Sequence, residues 1–515
     1  MLAAPLFEPQ RVEQERRVID AEFQTRLADD DIHAQAVLAT QVHPEHPLSR
    51  FTAGNAQTLA GDAAALSERL SQWHAIHYRA GSMALVLHGP QAPEQLLALA
   101  QASAEQLLAG RAPEPFAQPL FAPEQLPRQV DWQGRSSQSQ AVLLYPLREC
   151  AVHGAAAHWL GEWLNSPSPA GALGYLRDRG LLDELQASLE ADVGGQAMLR
   201  IELRSADAEP AQLLAGLDGW LQAMRSRDPA EWPQAARRAL AQTAFDLGPQ
   251  GDMLDSCRRY ADRLLTLPAE QVLDVAGVGL PTLGMADWQQ LLSQLSPRNR
   301  LLLQRLPRLL GGEQCAHTGT RWQAHALPPS PAPTANLAGR LGPCLGPLAE
   351  APKGLRWSSV APGLRLHRFT PQGGALLTRL AWCWADQAAT LAERRWLQAC
   401  WSLQSEALER WGARVGVCLQ WSLAPGQLVL DIRGPQSLLP SFVRELMSQL
   451  QAPPAFNQRA LIERRCRRWQ QDEQDALPAW RLLQTLEQER STNALRLRDP
   501  LVLWQRLCGQ AQIIG

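Results

Sequence analysis

Residues 82–108 read SMALVLHGPQAPEQLLALAQASAEQLL. The apolar run from Ser82 to His88 predicts a strand, Gly89-Pro90-Gln91 turns the chain, and Glu94 to Leu108 repeats leucine and alanine at helical spacing. The same order recurs from Leu428 in LVLDIRGPQSLLPSFVRELMSQL, and a further strand-then-helix unit fits Ala197 to Ala223. Repeated α+β domains, each an antiparallel sheet packed with helices, are the expected architecture.

Working outward, residues 10–28 place Val12, Val18, Ile19, Phe23 and Leu27 at helical spacing among charges, and a second helix fits Leu66 to His77. Strands are expected at Gln140–Leu147 and Ala197–Arg204, and helices at Ala151–Leu164, Leu173–Arg179, Pro210–Ser226 and Ala230–Phe245. A third region begins with a strand at Ala375–Trp384 and a helix at Ala392–Trp411, followed by a hairpin turning near Ala424-Pro425-Gly426. Proline-rich stretches mark boundaries, giving a first domain over 1–112, a linker over 113–133 and a second domain over 134–310. A Pro/Gly-rich linker over 311–355 then leads to a third domain with a helical tail over 356–515.

Three domains agree with 515 residues, too many for one hydrophobic core. A net charge of −2 supplies no basic field for nucleic acid or an anionic membrane. Lys353 is the only lysine, so nearly all the basic charge is arginine. No secretory signal pattern opens the sequence and no run reaches the roughly 20 apolar residues of a membrane span, so the cytoplasm is the expected compartment. Nine cysteines, Cys150, Cys257, Cys315, Cys344, Cys383, Cys400, Cys418, Cys466 and Cys508, show no CxxC or compact disulfide spacing and read as reduced, mostly buried thiols.

Chemistry has few candidates. Glu15 and Glu22 lie seven residues apart on the first helix, two turns that return to nearly the same face. By spacing alone this is a solvated charged face shared with Glu13, Arg16 and Arg17. His43/His46 and His74/His77 each have a spacing that suits a metal, but the first pair sits in a proline-rich segment and both read as structural. There is no Walker loop, dinucleotide fingerprint or Cys-His signature.

Several segments in order, ERRVIDAEF around Glu22, HPEHPLSRFTAGNAQTL from His43, WHAIHYRAGSMALVLHG from Trp73 and AGALGYLRDRGLLDEL from Ala170, resemble the pitrilysin/insulinase family of zinc peptidases. The likeness covers most of residues 1–300 and beyond about residue 350 rests on the order of elements. It implies insulinase-like repeated domains and a zinc held by two histidines of an H-x-x-E-H helix and a later glutamate. Glu22 matches the third-ligand position, and Glu15 the supporting carboxylate. None of the 11 histidines lies in H-x-x-E-H or H-E-x-x-H, so no catalytic residue is assigned: the general-base glutamate is absent with its motif.

The resemblance therefore implies an amino-terminally truncated member whose first domain is partial, with Met1 an internal methionine. Such a chain is expected to be inactive alone and to bind zinc weakly. Within the family the likeness points to the branch that processes the small precursor peptide of pyrroloquinoline quinone. The alternative is a naturally non-catalytic, peptide-binding partner subunit of an active insulinase-type peptidase. Either way the implied partners are a peptide substrate and a homologous subunit, with no nucleic acid and no membrane.

Overall fold

The computed structural model describes residues 3–113, 118–122, 125–135, 140–148, 155–193, 196–205, 209–227, 253–266, 272, 284–309, 311–327, 364–369, 377–385, 391–414, 417–424, 427–435, 438–451 and 456–475. The expected helix at Ala230–Phe245, the start of that at Ala151, most of the second linker, the turn at Pro425-Gly426, Lys353, Cys150, Cys344 and Cys508 lie outside them. The chain divides into two compact units, one built chiefly from residues 1–165, 170–231 and 253–339, the other chiefly from residues 340–515.

The first unit opens with helices α1 (Pro9–Arg26), α2 (Asp30–Gln41), α3 (Ala63–His77) and α4 (Pro93–Ala104). Pro9 stands in the first turn of α1, where its missing N–H costs nothing. Asp62 caps α3 by accepting from the amides of Ala64 at 3.0 Å and Ala65 at 3.4 Å. The long helix expected over 10–28 stops at Arg26, and a separate helix, α2, follows after a short break.

Seven strands then form one sheet: β1 (Arg128–Gln133), β2 (Gln140–Arg148), β3 (Glu184–Val193), β4 (Gln196–Arg204), β5 (Leu301–Leu306), β6 (Glu313–Gln314) and β7 (Arg321–Ala326). Their order is β3-β4-β2-β5-β1-β7-β6, antiparallel throughout except for the parallel β1–β5 pair. β2 is an inner strand beside the central β5, and its run Ala141 to Tyr145 is buried on both faces, as an apolar strand between two layers should be. On one face Val142 and Leu144 join Ala36 and Val37 of α2, Leu120, Phe121, Val130 and Leu303 in a single core. The other side carries α5 (Ala155–Leu164), α6 (Ala172–Asp178), α7 (Pro210–Arg225) and α9 (Met285–Gln294), with Trp220 and Trp288 fully buried. Between these last two helices in sequence lies α8 (Met253–Thr266).

The second unit is a four-stranded antiparallel sheet of β8 (Leu364–Phe369), β9 (Leu377–Ala385), β10 (Cys418–Ala424) and β11 (Gln427–Pro435), in the order β10-β11-β9-β8. Helices α10 (Leu391–Arg414), α11 (Leu439–Gln451) and α12 (Phe456–Asp475) complete it. Leu428, Leu430 and Ile432 alternate along β11 into a core with Leu397, Trp401, Leu408, Phe442 and Leu446.

The mixed helix and sheet architecture agrees with the α+β expectation, with one correction. The second copy of the cassette is a strand and helix, β11 and α11, but Ser82 to His88 is not a strand. Ser82 closes a single 3-10 turn (Ala80–Ser82), and the following residues lie in no ladder. A strand exists only through the hydrogen bonds of a neighbour, and no strand pairs with this segment among the described residues. Its leucines stay in solvent, Leu85 at 50% and Leu87 at 40% exposure, and α4 buries no residue. The segment expected as a linker over 113–133 contains the buried Leu120 and Phe121 and ends in β1.

Candidate functional site

α1 is set against the molecule by Val12 and Phe23, which are buried, with Ile19 half-buried between them. The loop after Phe51 grips this face. Arg16 donates to the carbonyls of Leu59 at 3.3 Å and Gly61 at 2.8 Å, and Asp20 accepts from the Ala56 amide at 2.8 Å. Gly54, at φ +71°, passes so close to Ile19 that an added Cβ would lie 3.3 Å from its Cγ2. These contacts fix the rotation of the helix about its axis.

With that rotation fixed, Glu15 and Glu22 both emerge on the exposed flank. An α-helix drifts by only about 20° over seven residues, so the two carboxylates share a side. Neither is tied up in a hydrogen bond or ion pair among the described residues. Glu13 differs: Arg16 at 2.5 Å and Arg17 at 3.2 Å hold its carboxyl below the usual glutamate range, chiefly through the Arg16 hydrogen bond.

The histidine pairs are spent on local structure. His43 Nδ1 accepts from the Glu45 amide at 3.2 Å, and His46 Nδ1 accepts from the Leu48 amide at 3.2 Å, capping the short turn Pro47–Ser49. Burial, followed by the charge of His43, holds the His46 imidazole below its ordinary value. His74 is buried and stacked on Tyr78 with ring centres 4.6 Å apart, whereas His77 is exposed beside Trp73.

Sequence reading missed a polar chain that ties α2 to the β6–β7 turn. His33 Nδ1 lies 2.7 Å from Thr320 Oγ1, which in turn lies 2.6 Å from Thr318 Oγ1, while His33 Nε2 meets the Leu27 carbonyl at 3.1 Å. His33 and Thr320 are 287 residues apart, and no local pattern announces their meeting. Cys315, in the same turn, is buried, and that burial outweighs a Thr318 hydrogen bond and pushes its thiol up to about 11, away from the thiolate.

Among the described residues the donor set does not fit a catalytic zinc. Zinc sites take three protein ligands and an open position, or four. Among the described residues no group of three or more His, Cys, Asp or Glu side chains is placed to hold a metal. Glu22 offers one carboxylate, too few for such a site.

Residues 66–238 match the family profile described as Peptidase M16 inactive domain. Two curated relatives, both named Coenzyme PQQ synthesis protein F, are similar to the chain. That of Pseudomonas aeruginosa is 34% identical over 278 residues, covering 52% of this chain and 33% of its own length. That of Pseudomonas protegens is 31% identical over 303 residues, covering 58% and 34%. The matched stretch thus spans about a third of these relatives' length. The crystal structure of pitrilysin superposes with a TM-score of 0.60 at 15% identity, covering 98% of this chain and 58% of that one, a likeness of fold. The chain is thus similar over residues 66–238 to the peptidase M16 inactive domain, over about half its length to PqqF proteins, and in fold to pitrilysin.

Proposed function

We propose that this chain recognises the small precursor peptide of pyrroloquinoline quinone as a PqqF-like protein and does not cleave it by itself. The supporting observation is the pairing of Glu15 and Glu22 on one exposed flank of α1 in a chain similar to Coenzyme PQQ synthesis protein F. In this reading Glu22 stands where the family's third zinc ligand stands and Glu15 supports it. The residues present contain neither the two histidines nor the general base. The chain then carries part of a first insulinase-like domain over 1–112, a second over 134–310 and a third over 356–515. The match of residues 66–238 to an inactive M16 domain supports a binding role for that part.

The test combines equilibrium dialysis with zinc and mass spectrometry of the precursor peptide incubated with the chain. Peptide binding without new fragments and without stoichiometric zinc is the expected result. Tight one-to-one zinc together with cleavage sinks the proposal.

A second reading, a non-catalytic subunit that joins an active insulinase-type peptidase, is favoured by one observation. Trp73, Ile76, Leu85, Leu87, Leu97 and Leu99 all stand between 40% and 59% exposed within one short stretch. Apolar exposure of this density on a soluble surface calls for a partner. Copurification with an active family member, lost on changing Leu85 and Leu87 to serine, tests it.

A further inference from the structure

A cleft of about 590 Å³ opens in the first unit between the end of β2, the end of α9 and the segment around Leu120. Its volume is that of a small-ligand site. Pro119, Leu120, Phe121, Leu126 and Pro146 give it an apolar lining.

The amides that shape the walls are already engaged. Gln196 accepts from the Leu120 amide at 2.8 Å and donates to the Gln118 carbonyl at 2.6 Å. Gln294 accepts from the Arg148 amide at 2.8 Å, and Asn299 donates to the carbonyls of Pro146 at 3.1 Å and Gln294 at 2.8 Å. The cleft is therefore preformed, and these groups have little left to offer a ligand.

Two other lining residues are different. Arg148 and Arg298 are exposed, and neither guanidinium has a hydrogen bond or ion pair among the described residues. The carbonyl end of α9 nearby would ordinarily repel an anion. A third guanidinium relieves this, since Arg225 Nη2 donates to the carbonyls of Leu292 at 3.2 Å and Leu295 at 3.3 Å. These two exposed guanidinium groups leave positive charge at the rim of the cleft, which favours an anion there.

We infer that this cleft binds an acidic peptide segment, with a carboxylate on Arg148 and Arg298 and a neighbouring apolar side chain on Pro119, Leu126 and Pro146. A free inorganic anion would reach the arginines but leave the apolar lining in water, which is why a peptide fits the whole cleft. The inference rests on the peptide-binding reading above and adds a place and a chemistry to it.

Fluorescence anisotropy with labelled peptides tests it, using a Glu-Leu-Glu core, the same core with glutamines, and the acidic core with serine in place of leucine. The Arg148→Gln/Arg298→Gln chain, whose changes lie on the surface, is measured beside the unaltered one. Binding of the Glu-Leu-Glu peptide is expected, weaker by about tenfold or more for each altered peptide and for the double variant. Equal binding of the glutamine peptide, or an unchanged double variant, overturns the cleft. Tolerance of serine with full displacement by millimolar phosphate reduces it to a plain anion site and overturns the peptide assignment. The precursor peptide separates the two failures. If it binds equally to both chains, only the cleft is wrong, and if it binds neither, the peptide-binding reading falls with it.

Discussion

Arg300 sets one guanidinium nitrogen 2.6 Å from Asp218 Oδ1 inside the first unit, with side-chain exposures of 0% and 7%. Tyr145 lies at the edge of this pair, its hydroxyl 3.5 Å from the same nitrogen. Burial works against the Arg300 charge, and the Asp218 carboxylate with the hydrogen bonds to Tyr145 and Asp218 outweighs it, holding the guanidinium above its ordinary range. Removing one partner leaves a charge buried without its counterion, so Asp218→Ala is expected to destabilise the unit by about 3–5 kcal/mol. Replacing both by apolar residues of similar volume is expected to cost less. Urea denaturation of the two variants checks the difference.

A helix glycine supplies the second prediction. An alanine in a helix interior is ordinarily better than glycine by about 1 kcal/mol. At Gly412 of α10 the added methyl would lie 2.7 Å from Phe442 Cε2 and 3.0 Å from the Val417 carbonyl. Phe442 is fully buried and the carbonyl is backbone, so neither yields easily. Gly412→Ala is expected to reverse the usual sign and destabilise by about 1–3 kcal/mol. A thermal melt in which it stabilises the protein would show that Phe442 has room to move.

His46 gives a pH dependence whose sign follows from its surroundings. Its imidazole is held below the ordinary value of about 6.5, so the unfolded chain takes up the proton first as pH falls. The stability it contributes is complete above that value and is lost as pH drops through the lower, folded one. His46→Asn keeps an acceptor for the Leu48 amide and does not titrate. Denaturation midpoints from neutral to mildly acidic pH are expected to fall less steeply in this variant.

Thiol reactivity separates the cysteines. Cys418 is exposed, whereas burial pushes the thiols of Cys315 and Cys466 up to about 11. Iodoacetamide labelling followed by peptide mass mapping is expected to modify Cys418 first. Early labelling of Cys315 would mean that the β6–β7 turn opens readily.

The exposed carboxylates of α1 carry no fold. Glu15→Gln and Glu22→Gln are each expected to change stability by no more than about 0.5 kcal/mol. A larger loss from either variant would give that carboxylate a structural contact and weaken its reading as a site residue.

Much of this protein was legible locally. The apolar spacing from Val12 to Phe23 specified α1 and placed Glu15 and Glu22 together, because a helix is closed by its own near neighbours. The run from Gln140 and the alternation at Leu428, Leu430 and Ile432 gave β2 and β11 in the same way. β3 escaped notice because ELQASLEADV, on the edge of its sheet, carries too many polar residues to read as a strand. Helix α2 was passed over between Arg26 and the proline-rich stretch, although it supplies Ala36 and Val37 to the core.

The remainder belonged to the tertiary structure. Two nearly alike strings, one at Leu85 and one at Leu428, end differently because a ladder needs a neighbour. β11 lies between β9 and β10, and the segment at Leu85 has no pairing strand among the described residues. The same holds for Arg300 with Asp218, 82 residues apart, and for His33 with Thr320. The sequence by itself determined α1, α3 and several later helices, and which carboxylates share a face. Only the tertiary structure decided which strands pair and which charges meet, since those depend on groups far apart in the chain.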